Sequence, residues 1–214
     1  MIVGRVMTRN PLYIHPDLSV NEARAVMAKE KIGHLPVLDR NNRLAGIVTK
    51  KDMLRAAPSP ATSLDMYEIS YLLSKMQVRE VMKTGVITVE ENEVVEEAAR
   101  IMADRDIGCL PVVRDQLLVG IITDTDLFRV FVDAFAARHK GVRITLSMTE
   151  QIGQLAKFAG AVAERGGNIR AFVTSQGADM SRFRGTCKIE GLTREEVVSA
   201  AGVVPGAEIE DIRE

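Results

Sequence analysis

The sequence has no tryptophan, and aromatic residues are only 4% of its 214 positions. Its cores must be built from Val, Ile, Leu, Ala and Met, which suits small layered domains. There are two cysteines, Cys109 and Cys187. They form no CxxC pair and no zinc spacing, so they read as small buried hydrophobes in a reducing, cytoplasmic setting. No apolar run approaches the roughly 18 residues of a membrane-spanning helix. The longest, residues 117–122, has the length of a buried strand. Residues 1–11 carry Arg5 and Arg9 and no apolar stretch, so no signal peptide is expected. Charge of one sign is also missing: Lys plus Arg total 28, Asp plus Glu 29, and the net charge is −1. A protein that lives on duplex DNA shows a strong basic excess, so neither nucleic acid nor membrane is an expected partner. Motifs of hydrolases and nucleotide-cleaving enzymes (GxSxG, the Walker loop, HExxH) are absent, and catalysis is not expected.

What is present is a folded composition, 46% apolar and 27% charged, and an internal duplication. Residues 20–38 read VNEARAVMAKEKIGHLPVL. Residues 95–113 read VEEAARIMADRDIGCLPVV. The match resumes after a one-residue deletion, with GIVTKKDMLR from Gly46 over GIITDTDLFR from Gly120. The starts also align, Val6-Met7-Thr8 over Val81-Met82-Lys83. Two copies are too few for a solenoid.

Each copy predicts the same order of elements. A short extended piece (residues 12–14 and 87–89) precedes an amphipathic helix. Its apolar stripe is Val20, Ala23, Val26 and Met27 in one copy and Val95, Ala98, Ile101 and Met102 in the other. Gly33 and Gly108 fit as terminating glycines. A strand follows, with His34 over Cys109 at an inward position. After a polar turn comes a nearly all-apolar strand, residues 44–48 or 117–122, which predicts burial on both faces. A helix then starts at Thr49 or Thr123. Between the copies, Pro58-Ser59-Pro60 breaks the chain. Residues 64–76 then read as a linking helix with Tyr67, Tyr71 and Leu72 on one face.

Thr49 with Asp52, and Thr123 with Asp126, sit where a buried strand turns into a helix. A helix start offers free N–H groups and a positive dipole end to anions. A threonine hydroxyl there could donate to a phosphate, and a carboxylate three residues on could accept from ribose hydroxyls. The same spacing also makes an ordinary capping box, worth about 1 kcal/mol. Occurrence at equivalent places in both repeats favours a ligand role. Asp124 and Asp126, two apart on a helix, do not share a face as a magnesium site would need. His15 and His139 read as isolated surface residues.

The β-α-β-β-α order with its Gly-h-h-Thr-x-x-Asp ending resembles the CBS domain, and the pair resembles a Bateman module. The resemblance implies that adenosine-type ligands lie in clefts between the copies. One cleft would then use Thr123 and Asp126 with Thr8, Tyr13, Ile32 and Gly33. The other would use Thr49 and Asp52 with Lys83, Thr88, Ile107 and Gly108. Lys50 and Lys51 follow Thr49, whereas Asp124 follows Thr123. The Thr49/Asp52 cleft is therefore expected to prefer more phosphorylated ligands.

The last third predicts a separate domain. Val142, Ile144, Leu146 and Met148 alternate with polar residues as a half-buried strand. Ile152, Leu155, Phe158, Ala159 and Val162 form a helix stripe, stopped at Gly166-Gly167. Strands follow at residues 168–175 and 183–189, then a helix capped by Thr193 with Glu196, and a short strand at 208–212. Arg182, Arg184 and Lys188 form a small, solvated basic strand face. The order βαββαβ is ferredoxin-like. With Gly153, Leu155 and the Gly167-Asn168-Ile169 turn it resembles an ACT domain, a family that pairs edge to edge and binds amino acids. The usual Asp-x-Pro-Gly start is replaced by Thr149-Glu150-Gln151-Ile152-Gly153.

The expected fold class is thus α/β (α+β), a tandem CBS pair followed by a ferredoxin-like, ACT-like domain. Its bounds are 1–57 for the first CBS domain, 58–77 for a linker helix, 78–139 for the second CBS domain and 140–214 for the last. The arrangement resembles the acetoin utilization protein AcuB family. It implies a cytoplasmic homodimer that senses AMP, ADP, ATP or another adenosyl effector and acts on itself or an unidentified protein partner. No obligatory cofactor and no metal are expected. A structural dimerisation module without ligand is the alternative. An IMP-dehydrogenase-related fragment is disfavoured, since a catalytic barrel needs about 200 or more residues of its own.

Overall fold

The computed structural model describes residues 1–56, 65–177 and 181–214. The chain divides into two compact units, Met1–Leu127 and Phe128–Glu214. In the first unit, copy one contains β1 (Thr8–Arg9), α1 (Val20–Lys29), β2 (His34–Leu38), β3 (Leu44–Thr49) and α2 (Lys50–Ala56). The linking helix α3 spans Met66–Lys75. Copy two contains β4 (Val89–Glu90), α4 (Val95–Arg105), β5 (Cys109–Arg114), β6 (Leu117–Thr123) and the start of α5 (Asp124–Ala134). Pro58-Ser59-Pro60 and Leu64 lie outside the described residues.

The two copies exchange their first segments. β1 pairs antiparallel with β6 of the other copy, Thr8 opposite Ile121. Lys83 pairs in the same way with Ile47 on β3. The exchange extends into the cores. Val3 donates its N–H to Glu93 O at 2.8 Å, and the equivalent Val78 donates to Leu18 O at 2.8 Å. Both valines are fully buried, Val3 in the core of copy two and Val78 in the core of copy one. The next link is parallel in each copy, Ile14 with Val37 and Val89 with Val112.

Close approach of the exchanged strands explains one glycine of the repeated motif. A Cβ on Gly46 would lie 2.7 Å from Met82 Sδ and 2.9 Å from Lys83 O. A Cβ on Gly120 would collide with Met7 Sδ. The helix-ending glycines behave differently from expectation. The left-handed residues after α1 and α4 are Lys31 (φ 56°) and Asp106 (φ 50°), not Gly33 and Gly108. Each helix therefore ends two residues early, and the glycines open the next strand.

The expected stripes bury Val20, Ala23 and Met27 on α1 and Val95, Ala98 and Met102 on α4, with Val26 and Ile101 packed at the margin. β3 and β6 are buried only in their second halves rather than throughout. On α3, Leu73 is buried and Ile69 packs beside it, while Tyr67, Tyr71 and Leu72 face outward.

The second unit contains β7 (Val142–Thr149), α6 (Gln154–Glu164), β8 (Asn168–Gln176), β9 (Arg182–Glu190), α7 (Arg194–Ala201) and β10 (Glu208–Arg213). Its sheet order is β10-β7-β9-β8, the ferredoxin-like arrangement. The buried side of β7 and β9 (Val142, Ile144, Leu146, Met148, Cys187, Ile189) meets Phe158, Ala161 and Val162 of α6 and Val197, Ala200 and Ala201 of α7. The α6 stripe is corrected by the structure. Gly153 turns at φ 88° and delays the helix to Gln154. Ile152 is left outside it and fully exposed, Leu155 and Ala159 face solvent, and Gln154 takes the inward place. Arg182 donates to Ser147 Oγ and Arg184 pairs with Glu210, so two members of the basic strand face are tied to neighbouring strands.

Candidate functional site

Both Thr-x-x-Asp corners are built, and in each the aspartate bonds back to its threonine, with a full capping box at Thr49–Asp52. Thr49 N and Thr49 Oγ1 donate to Asp52 Oδ2 at 2.9 and 2.7 Å. Asp52 N donates back to Thr49 Oγ1 at 3.2 Å. In copy two, Thr123 N and Oγ1 donate to Asp126 Oδ2 at 2.9 and 2.8 Å. Each threonine hydroxyl thus lies within hydrogen-bond reach of its own aspartate. The aspartates are buried, 7% and 6% exposed, which is unusual for a cap carboxylate. The ordinary case stands elsewhere in the same chain: Thr193 and Glu196 make the same box with both partners exposed.

Strand exchange brings one foreign residue to each corner. Lys83, clamped to Ile47 by hydrogen bonds of 3.0 and 2.9 Å, reaches Asp52 Oδ1 with its ammonium at 3.8 Å. Thr8, paired with Ile121, holds the corresponding place beside β6. The rest of the expected grouping changes. Gly33 O accepts from Lys50 N at 3.0 Å, and Ile14 N donates to Pro36 O. Tyr13, Ile32 and Gly33 therefore belong to the copy that carries Thr49. Gly108 O accepts from Asp124 N at 3.0 Å, which sets Thr88, Ile107 and Gly108 with the copy of Thr123. Thr8 and Lys83 cross by backbone pairing, and Gly108 also approaches the other copy at His34, the partner of Thr49. The physical reason is that Gly33 and Gly108 open the strand hydrogen-bonded to their own copy's Thr-x-x-Asp strand. Tyr13 is half exposed and stacks edge-on against His15, whose Nδ1 lies 3.0 Å from Leu38 O.

The copies meet between the corners. Ile47, Cys109 and Ile121 form a small buried cluster there. A Cβ on Gly108 would find Asp124 Oδ2 at 3.3 Å and His34 Nε2 at 3.7 Å. Burial lowers the His34 pKa against the opposing pull of Asp124 and Asp52. Burial, together with Asp124, pushes the Cys109 thiol up to about 12, so it stays protonated. Asp124 also accepts from Thr125 N at 2.6 Å and is exposed, whereas Asp126 turns inward. Among the described residues no group of three or more His, Cys, Asp or Glu could hold a metal ion. No helix among them is long and apolar enough to cross a membrane.

Sequence reasoning missed the reason for Gly46 and Gly120. The signal for the glycines was the repeated Gly-h-h-Thr itself. A second cavity, about 780 Å³, lies in the second unit beside the start of α6, lined in part by Gly153, Gln154, Thr174 and Arg182. Gln154 is buried there, with Nε2 donating to Thr149 Oγ1 at 2.8 Å and Oε1 without a partner among the described residues.

The strand exchange and the twin corners define a class. The CBS domain model matches residues 3–59 and 78–133, and the chain belongs to that family as a tandem CBS-domain protein. It is 31% identical over 131 residues to the L-aspartate semialdehyde sulfurtransferase of Methanocaldococcus jannaschii, covering 61% of this chain and 23% of that one. The chain spans only 23% to 32% of the first three curated relatives it matches. Among solved structures, it is similar to the CBS domain pair of protein MJ0100 in complex with 5′-methylthioadenosine and S-adenosyl-L-methionine. That match has 31% identity and TM-score 0.52, over 61% of this chain and 95% of that one. An acetoin utilization protein, AcuB, from Vibrio cholerae matches with 34% identity and TM-score 0.53, over 64% and 95%. CBSX2 in complex with AMP matches with 31% identity and TM-score 0.50, over 61% and 96%.

Proposed function

We propose that this chain is a regulatory sensor that binds adenosine-type compounds between its two CBS copies and passes the bound state to its own dimer or to a protein partner. The observation that carries the reading is the pair of buried Thr-x-x-Asp corners, Thr49–Asp52 and Thr123–Asp126, each approached by a residue from the other copy. A buried carboxylate at a helix start is suited to accept from a ribose diol, and the first turn of the helix favours anions. Two solved CBS structures similar to this chain carry AMP or adenosyl compounds, which supports the same ligand class here. The domain bounds fitting this reading are 1–57, 78–139 and 140–214, with 58–77 as linker. Ile32, Gly33 and Tyr13 would serve the Thr49 corner, and Ile107, Gly108 and Thr88 the Thr123 corner. The CBS pair is a regulatory module, and the reading assigns no catalytic residue.

The test is thermal unfolding against AMP, ADP, ATP, S-adenosylmethionine and methylthioadenosine. A compound at 100 times its dissociation constant adds about 2.7 kcal/mol, about 5–11 °C for a chain of this size. The rise should shrink in Asp52→Asn or Asp126→Asn and be lost when both are changed. A flat panel from nucleotide-free protein would favour a structural dimerisation module.

The cavity of the second unit supports a separate reading for the ACT-like domain. Gln154 Oε1 is unpartnered and closed off from solvent, and a turn of the side chain toward the cavity would let it accept a hydrogen bond from a small amine-bearing ligand. Equilibrium dialysis against the amino acids, with Gln154→Met as control, tests it. No retention would leave the domain a pairing surface.

A further inference from the structure

Asp52 has two carboxylate oxygens with different occupations. Oδ2 accepts from Thr49 N and Thr49 Oγ1, while Oδ1 faces the Lys83 ammonium at 3.8 Å. A ribose diol at this corner must take Oδ1, because Oδ2 is spent on the cap. We propose that Lys83 sets phosphate selectivity at the Thr49/Asp52 corner by competing for Asp52 Oδ1 against ligands that bring no phosphate. This deepens the adenosine-type reading above and rests on it.

The main chain of Lys83 is held on both sides by Ile47, so its charge cannot leave the corner with the backbone. Its side chain is 60% exposed, and its four-carbon stem is free to pivot. A nucleoside that takes Oδ1 leaves the ammonium without an anion. A nucleotide brings one: its 5′-phosphate lies a few ångströms from the diol, within the sweep of the stem. The ammonium then trades a carboxylate for a phosphate, and the same residue penalises one ligand and rewards the other. Selectivity of this kind is a difference of two affinities and needs the repulsive half as well as the attractive one. Lys50 and Lys51 at the start of α2 add charge of the same sign. The Thr123 corner has neither element, because Thr8 stands at the place of Lys83 and Asp124 at that of Lys50.

The experiment is calorimetric titration of adenosine and AMP into full-length protein carrying Asp126→Asn, which silences the other corner. The titrations are repeated with Lys83→Gln and Lys83→Arg added. Lys83→Gln should weaken AMP about tenfold and strengthen adenosine about threefold. Lys83→Arg keeps the charge and should keep the preference. Lys83 is exposed, so the fold is expected to tolerate both changes. Equal shifts for the two ligands, or an unchanged ratio, overturn the role of Lys83 and leave the adenosine reading standing. Absence of binding by either ligand, with Asp52→Asn without effect, overturns both.

Discussion

The two corners of the first unit share a motif, a cap and a depth of burial, yet their surroundings carry opposite charge. At Thr49–Asp52 the neighbours are Lys50, Lys51 and the exchanged Lys83. At Thr123–Asp126 they are Asp124, Thr125 and the exchanged Thr8. A duplication preserves what the backbone needs, which is the cap, the glycine before the strand end and the strand swap. Charge at the rim is not needed for folding, since the Lys83 ammonium is 60% exposed and stands 3.8 Å from Asp52, a wide contact screened by solvent on one side. Rim residues are therefore free to diverge, and divergence there changes what each corner attracts.

The comparison can be broken most severely at the crossing glycines. Gly46→Ala should cost about 2–3 kcal/mol, because its Cβ meets the Lys83 carbonyl as well as Met82. Gly120→Ala should cost about 1–2 kcal/mol, because its Cβ meets only the flexible Met7 side chain. Urea unfolding of the two variants measures the gap, and equal losses would show that the backbone contact does not matter.

The next effect is loss of a cap. Asp52→Asn and Asp126→Asn should each destabilise by about 1 kcal/mol and diminish the ligand-induced rise in melting temperature, and the double variant should abolish it. Thr193→Ala should cost the same stability, since it breaks an exposed box of the same design, and leave ligand response intact.

A smaller effect is set by His34. Its folded pKa lies below the unfolded value, so the unfolded state binds more protons between the two. Stability should therefore fall as pH drops below about 6.5, and His34→Gln should lessen that slope. Unfolding at pH 7.5 and 5.5 decides it, and identical slopes would remove His34 from the account. The smallest signal is chemical: with its thiol pushed up to about 12 by burial, Cys109 should resist iodoacetamide at pH 8 until the protein unfolds. Mass spectrometry of the treated protein checks this.

Much of the fold was legible because it is periodic. Val20, Ala23 and Met27 recur as Val95, Ala98 and Met102, and the alternation through Phe183, Gly185, Cys187 and Ile189 marks one face of a strand. The errors came where one glycine controlled phase. Gly153, left-handed, took Ile152 and Leu155 out of the buried face of α6 and put Gln154 beside the expected Phe158 and Val162, and no periodicity count sees a φ angle. Gly33 and Gly108 fit a helix end by residue type, yet Lys31 and Asp106 take the left-handed turn instead.

The duplication, the element order, the βαββαβ unit and the placing of Thr49, Asp52, Thr123 and Asp126 at helix starts are all written in the order of residues. These follow from short-range pattern and capping chemistry. Tertiary structure supplied the strand exchange itself, Thr8 against Ile121 and Lys83 against Ile47, because that exchange joins residues that local periodicity does not relate. It also decided that the threonine hydroxyls lie within reach of their own aspartates. Burial made that choice: a carboxylate removed from water must collect every donor in reach, and the nearest ones are its own cap.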